Sequence, residues 1–243
     1  MSVSVVVLAA GKGTRMKSDL PKVLHKVLGR PLLVHALDKL SFIENQYVVV
    51  GHESDMVINS LPSSTKHILQ KDQLGTGHAV ATVVSDDLFV KNKSEFTVVV
   101  PGDVPAIDSK DIKLLISEVE TKSSPVGFLT AIVDNPYGYG RVIRNNEETR
   151  IVEEKDCIDG EREINEINSG VYCFKTDFLI ENIDSLDTKN AQGEFYLTDL
   201  IGIANNQKQD IVIVQVDEDS IKGINSMSQL NDCLLYTSDA ADE

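Results

Sequence analysis

Residues 3–22 read VSVVVLAAGKGTRMKSDLPK, a near-continuous aliphatic run followed by a basic loop that contains two glycines. An aliphatic run of this kind is a strand buried on both faces, the habit of a parallel sheet covered by helices. The loop then stands at the carboxyl end of that strand, where open α/β sheets bind ligands. Gly11 and Gly13 allow a tight turn and let backbone N–H groups approach an anion, while Lys12, Arg15, Lys17 and Lys22 bring positive charge to the same point. The stretch reads as a cradle for a nucleoside triphosphate.

Two common loops are excluded. A Walker A loop needs GxxxxGK[ST], which residues 11–15 do not supply, and a dinucleotide fingerprint wants a third glycine where this chain has Met16. A GxG alone would equally be a plain strand-to-helix turn. Charge adds a second argument: the chain carries −15 overall, which speaks against nucleic acid and acidic membranes as partners. Residues 1–30 carry +5 and so leave −20 for the rest. A positive island on an acidic protein suits a small polyanion held in a pocket, though a solvated surface would show the same letters. No run of about 18 apolar residues exists, and Met1-Ser2 leads into the first strand without a charged leader, so a cytoplasmic protein is expected. Cys157, Cys173 and Cys233 fit no zinc spacing and read as reduced thiols.

Residues 31–43 set Leu32, Leu33, Ala36, Leu37 and Leu40 on one helical face behind a proline suited to a first turn. Residues 47–51, 66–69, 96–101 and 126–133 read as strands, and residues 55–61, 79–88 and 109–120 as helices. This alternation predicts right-handed crossovers and an α/β fold: a doubly wound, mostly parallel Rossmann-like sheet. From Pro136 the rhythm changes. Residues 136–143 and 150–153 look like short strands joined by a turn at Asn145-Asn146, a hairpin over the carboxyl edge of the sheet that builds a small second lobe. Residues 161–168 are polar, 170–174 and 211–216 are strand-like, and 197–206 read as a helix.

Three further groups carry chemistry. A Gln side chain offers donor and acceptor together, and the backbone beside Gly75 does the same, so Gln70 and Gly75 can match the edge of a pyrimidine; Thr76 reads equally as a helix N-cap. Asp103, with Gly102 beside it, ends the strand at 96–101 and is well placed to hold Mg²⁺ against phosphates, although an Asp in a turn before Pro105 is common. Gly140, Glu153 and Asn168 supply the backbone, carboxylate and amide partners that a sugar needs; singly they are a turn Gly, a surface Glu and a turn Asn.

Taken together, LAAGKGTRM at 8–16 and LPKVLH at 20–25 resemble the signature of the sugar-phosphate nucleotidyltransferases, and within them the bacterial uridyltransferase domains that act on N-acetylglucosamine 1-phosphate. The resemblance runs from the first strand to about residue 230. It implies UTP and N-acetyl-α-D-glucosamine 1-phosphate as substrates and Mg²⁺ as cofactor. It implies catalytic roles for Arg15, Lys22 and Asp103, and nucleotide contacts at Leu8, Ala9, Ala10, Gly11, Gly13, Lys22, Gln70, Gly75 and Thr76. Sugar contacts are implied at Gly102, Gly140, Glu153 and Asn168. They are implied also at Tyr196 and Thr198, within NAQGEFYLTD, and at Asn225, which would join Asp103 on the metal. The family often has Tyr where this chain has Pro101. It continues into a hexapeptide-repeat acetyltransferase domain, on which its trimers depend, so a monomer or weak oligomer is expected here. Residues 1–230 are expected to form the nucleotidyltransferase domain, and residues 231–243 a non-native, disordered tail. Two alternatives stay open: a related enzyme for another base or sugar, and a silent nucleotide-sugar-binding module.

Overall fold

A computed structural model describes residues 1–230 except Thr14, Arg15, Ser64, Asn146, Glu147 and Asn225. The expected roles of Arg15 and Asn225, part of the expected hairpin turn and the expected tail lie outside the described residues. β1 (Val3–Ala9) leads through the glycine loop to a 3-10 turn at Lys22–Leu24 and a ribbon of β2 (Lys26–Val27) and β3 (Arg30–Pro31). Then come α1 (Leu32–Lys39), β4 (Asn45–Val50), α2 (Ser54–Ile58), β5 (Lys66–Leu69), α3 (Thr76–Val84) and α4 (Asp87–Lys91). They are followed by β6 (Phe96–Pro101), α5 (Ser109–Thr121), β7 (Val126–Ile132), β8 (Gly140–Arg144), β9 (Thr149–Val152) and α6 (Asp159–Arg162). The chain continues with β10 (Glu166–Lys175), α7 (Thr176–Asn182), α8 (Asp199–Asn206), β11 (Ile211–Gln215) and α9 (Glu218–Ile221).

Among the described residues one nine-stranded sheet runs β11-β7-β10-β6-β1-β4-β5, with β8 on β10 and β9 on β8. β1 lies between β4 and β6 and is parallel to both, as its apolar run predicts. Alternate residues of β1 feed two cores. Val5, Val7 and Ala9 pack with α1, α2 and α5 on one face, while Val6 and Ala10 pack with α3, α4, α7 and α8 on the other. Val5, Val6 and Val7 are fully buried, each stabilising the fold by roughly 1.5–3 kcal/mol. The sheet is therefore doubly wound and mostly parallel; the exceptions are β10, antiparallel to β6, β7 and β8, and β9, antiparallel to β8.

Several boundaries differ from the periodicity reading, each for a local reason. The helix expected over 79–88 begins at Thr76, because Gly75 at φ +109 turns the chain into it. It ends before Asp86, whose side chain accepts from Leu88 N–H and caps α4 as a separate helix. The polar stretch 161–168 holds the end of α6 and the start of β10. The hairpin of β8 and β9 forms as expected and attaches to β10 through Ile167↔Arg141 and Asn168↔Gly140. Arg141 is fully buried there; its guanidinium donates to Glu154 and to the Tyr139 carbonyl, and Glu154 also accepts from Gly138 N–H at 2.9 Å. This buried cross-link shapes the 138–140 loop.

Gly127 in β7 marks where α5 approaches the sheet most closely: a Cβ there would stand 2.6 Å from Val119 Cγ2 and 3.0 Å from Leu115 Cδ1. Gly127→Ala is expected to push α5 outward and to lower stability by about 1–3 kcal/mol in urea unfolding; an unchanged midpoint would disprove that tight contact.

Candidate active site

The strand tips assemble the site. Gly102 N–H donates to the Leu8 carbonyl at 2.9 Å, continuing the β1–β6 pairing past Leu8↔Pro101 and placing Asp103 beside the glycine loop. Pro21 enters the 3-10 turn extended, and Val23 and Leu24 bury themselves in the core, so Lys22 is held by its neighbours. Its ammonium forms an ion pair with Asp103, whose residue is 7% exposed. Gly13, at φ +60, packs directly behind: a Cβ there would come within 2.6 Å of Lys22 Cβ. Gly11 is different, since a Cβ there would meet no atom of the described residues beyond its chain neighbours within 4 Å, and it lines a cleft.

That cleft, of about 880 Å³, runs along the carboxyl edge of the sheet. Of the expected contact residues, Leu8, Ala9, Ala10, Gly11, Lys22, Gln70, Gly75, Thr76, Asp103, Gly140, Glu153, Asn168 and Thr198 line it. Gly13, Gly102 and Tyr196 do not. Gly13 supports Lys22. Gly102 lets the strand ends close up, its notional Cβ lying 3.0 Å from the Leu8 carbonyl oxygen. Tyr196 is buried, and its hydroxyl donates to Asp156 Oδ2 at 3.0 Å while accepting from Gln192 Nε2 at 2.9 Å. Thr76 does not cap its helix; its Oγ1 accepts from Leu197 N–H at 3.1 Å.

The cleft lining includes the charged residues Lys12, Lys22, Asp103, Glu153 and Glu194. There Asn168 Nδ2 donates to the Tyr172 hydroxyl at 2.6 Å, and Thr198 Oγ1 donates to Glu153 Oε1 at 3.3 Å. A β-bulge between Asn168 and Tyr172, with Gly170 at φ +78 packed on Pro101, turns this part of β10 into the cleft. Burial pushes the Glu153 carboxyl up to about 7; the Thr198 hydroxyl opposes this, and the charges of Asp156, Asp199 and Glu194 add to it. Asp156 had no distinguishing signal in IVEEKD, yet its Oδ1 accepts from Ala191 N–H at 2.8 Å and ties the 190–196 loop to the lobe. Tyr172 was likewise hidden inside a strand pattern.

Magnesium takes one or two protein carboxylates and completes its shell with phosphate oxygens and water. Asp103 offers one buried carboxylate. Ile224 N–H donates to the Asp103 carbonyl at 2.9 Å. Among the described residues no cluster of three or more His, Cys, Asp or Glu could hold a metal. The donor set thus fits an ion that draws most of its ligands from phosphates. Cys157 and Cys173 are buried free thiols, and no helix among the described residues is long and apolar enough to cross a membrane.

A doubly wound sheet whose strand tips bring a lysine to a carboxylate, beside a cleft along its carboxyl edge, is the setting of a class: the nucleotidyltransferases of the nucleotide-sugar transferase fold. A solved structure titled as a putative glucose-1-phosphate thymidylyltransferase from Bacillus anthracis superposes with TM-score 0.77 at 21% identity, covering 98% of this chain and 96% of that one. A CMP:2-keto-3-deoxy-manno-octonic acid synthetase complexed with CTP superposes with TM-score 0.69 at 15% identity, covering 99% and 100%. At these identities the likeness is one of fold. The MobA-like NTP transferase domain matches residues 5–145, more than half of the chain, and the chain belongs to that family. Among curated relatives, proteins named bifunctional protein GlmU are 45% identical over 228 residues in Fervidobacterium nodosum and 44% identical over 237 residues in Clostridium novyi. These alignments take in 94% and 95% of this chain but 49% and 51% of the relatives, so the chain spans about half their length. The resemblance carried by residues 8–16 and 20–25 is borne out.

The raised Glu153 value has a direct consequence for stability. Below about pH 4.5 the group is protonated in folded and unfolded chains alike; between 4.5 and about 7 the folded chain keeps a proton that the unfolded chain has released, so stability falls as pH rises. Glu153→Gln is expected to remove that fall, a difference of roughly 1–3 kcal/mol after allowance for partial exposure. Urea unfolding of both proteins from pH 4.5 to 8 measures it, and parallel profiles would contradict the burial of the charge.

Proposed function

We propose that this chain transfers a uridylyl group from UTP to N-acetyl-α-D-glucosamine 1-phosphate. A phosphate oxygen of the sugar phosphate attacks the α-phosphorus, the α–β phosphoanhydride bond breaks, and pyrophosphate leaves. The observation that carries the reading is the convergence of Gly13, Lys22 and Asp103 at adjacent strand tips, in a cleft that reaches Gln70 on one side and Glu153, Asn168 and Thr198 on the other. The relatives named GlmU support it, and so does Gly11, a glycine on the cleft lining that no neighbour among the described residues requires.

Such a reaction needs no covalent intermediate, so the protein's work is positioning and charge neutralisation. The backbone at Gly11 opens onto the cleft for the phosphates, and Lys22 offsets the charge that develops on the phosphorus and on the departing pyrophosphate. Arg15 is assigned to the same task. Gln70, Gly75 and Thr76 receive the base; Gly140, Glu153, Asn168 and Thr198 receive the sugar, and Tyr196 acts behind them by fixing Asp156 and the 190–196 loop. Asp103 and Asn225 would hold Mg²⁺, which when bound neutralises phosphate oxygens. We read the protein as cytoplasmic and, as this chain, a monomer or weak oligomer.

A pyrophosphate-release panel crossing UTP, dTTP and CTP with several hexose 1-phosphates tests the assignment. The highest rate is expected for UTP with N-acetylglucosamine 1-phosphate, lost on chelation and restored by Mg²⁺. Lys22→Ala and Asp103→Ala are expected to keep the parent's circular dichroism and to lose on the order of 10² to 10³ in turnover. Activity within twofold of the parent in either variant would refute these roles, and a better rate with another base or sugar would reassign the substrate.

A further inference from the structure

The base end of the cleft contains an arrangement that the reaction does not by itself require. Gln70 follows β5, with its backbone N–H on the Val50 carbonyl at 2.8 Å and its carbonyl accepting from Gln73 Nε2 at 3.0 Å. The residue is 3% exposed and lines the cleft. Its side-chain Nε2 lies 3.2 Å from the Gly75 carbonyl oxygen and 2.9 Å from His78 Nδ1. A backbone carbonyl can only accept, so the amide atom facing Gly75 must be the NH₂ group. Its second N–H then faces His78 Nδ1, which serves as the acceptor in this arrangement.

Both amide donors are thereby engaged inside the protein. Gln70 Oε1 has no hydrogen bond to any described residue, so the side chain presents to the cleft an acceptor and no donor. Pyrimidines differ at this point. Uracil and thymine carry an N3–H donor at the centre of their pairing edge, whereas cytosine carries an N3 lone pair there. An outward acceptor receives the first and repels the second; the amide turned over would do the opposite.

We propose that His78 is a specificity-determining positioning residue: by accepting from Gln70 Nε2 beside the Gly75 carbonyl, it pins the amide with Oε1 toward the base and sharpens the selection of pyrimidine nucleotides that carry an N3–H. The inference rests on the nucleotidyltransferase reading and deepens it. His78 is suited to this by its place in the first turn of α3, which Gly75 and the Thr76–Leu197 bond fix, and by its ring lying against Phe195 with centroids 6.3 Å apart.

The test compares UTP with CTP, by calorimetric affinity without sugar phosphate and by kcat/KM in pyrophosphate release. The proteins are the parent, His78→Phe and His78→Asn. Phe keeps a ring against Phe195 but no acceptor; Asn places an amide oxygen near the position of Nδ1. His78→Phe is expected to lower the UTP-to-CTP ratio at least tenfold, chiefly through the KM for UTP, while His78→Asn keeps it within threefold of the parent. His78→Leu, which also lacks an acceptor, serves if the Phe variant melts early. An unchanged ratio in a folded acceptor-less variant overturns the role of His78, as does an Asn variant no better than Phe. A parent that binds UTP over CTP but releases no pyrophosphate with any sugar phosphate would instead sink the catalytic reading, and the affinity ratios would still decide the role of His78.

Discussion

The parallel pairing of β1 with β6 is the contact on which the site depends. Two buried strands that run in the same direction end on the same edge, so the Leu8–Gly102 hydrogen bond fixes how far the loop after one stands from the carboxylate after the other. An ion pair such as Lys22–Asp103 is a poor source of stability, because partial desolvation offsets much of the attraction. The causal order is the reverse: valines on both faces of β1, and Val23 and Leu24 behind Lys22, supply the energy that holds two charges together in a place open to phosphates.

A second constraint is the short segment around Phe195. Its N–H donates to the Leu74 carbonyl at 2.8 Å and its carbonyl accepts from Gly77 N–H at 2.8 Å. Gly75 has no room for a side chain because the Phe195 carbonyl oxygen would lie 2.6 Å from its Cβ. A few residues to either side, Ala191 and Tyr196 bond Asp156, and Thr198 bonds Glu153. One strip of backbone is thus built into the Gln70–Gly75 wall and the Glu153–Thr198 wall of the cleft together.

The sheet was legible because its signal is local: aliphatic runs of strand length, separated by amphipathic helices, admit few other arrangements. The loop at Gly11–Gly13 and Asp103 at a strand tip were legible for the same reason, since a doubly wound sheet places strand ends on one edge. Other features depend on partners far along the chain. Thr76 has the letters of an N-cap, but its hydroxyl is taken by Leu197, more than a hundred positions away. Tyr196 was matched to the sugar by resemblance, whereas the structure turns its hydroxyl to Asp156. Asp156 and the Arg141–Glu154 pair carry no signal in the letters, and only the fold shows them binding loops together. The antiparallel β10, with its bulge against Pro101, has no signature in alternation because a bulge breaks the alternation.

The strip at Phe195 bears on how such enzymes can be redesigned. On the proposed assignment of base and hexose to the two banks of the cleft, donor and acceptor preferences look like separable modules, yet a graft that moves the 190–198 loop also shifts the backbone against which Gly75 and Gly77 are packed. Under that assignment, altered acceptor range would come coupled to altered nucleobase discrimination, and successful swaps would need to transplant both banks as a unit.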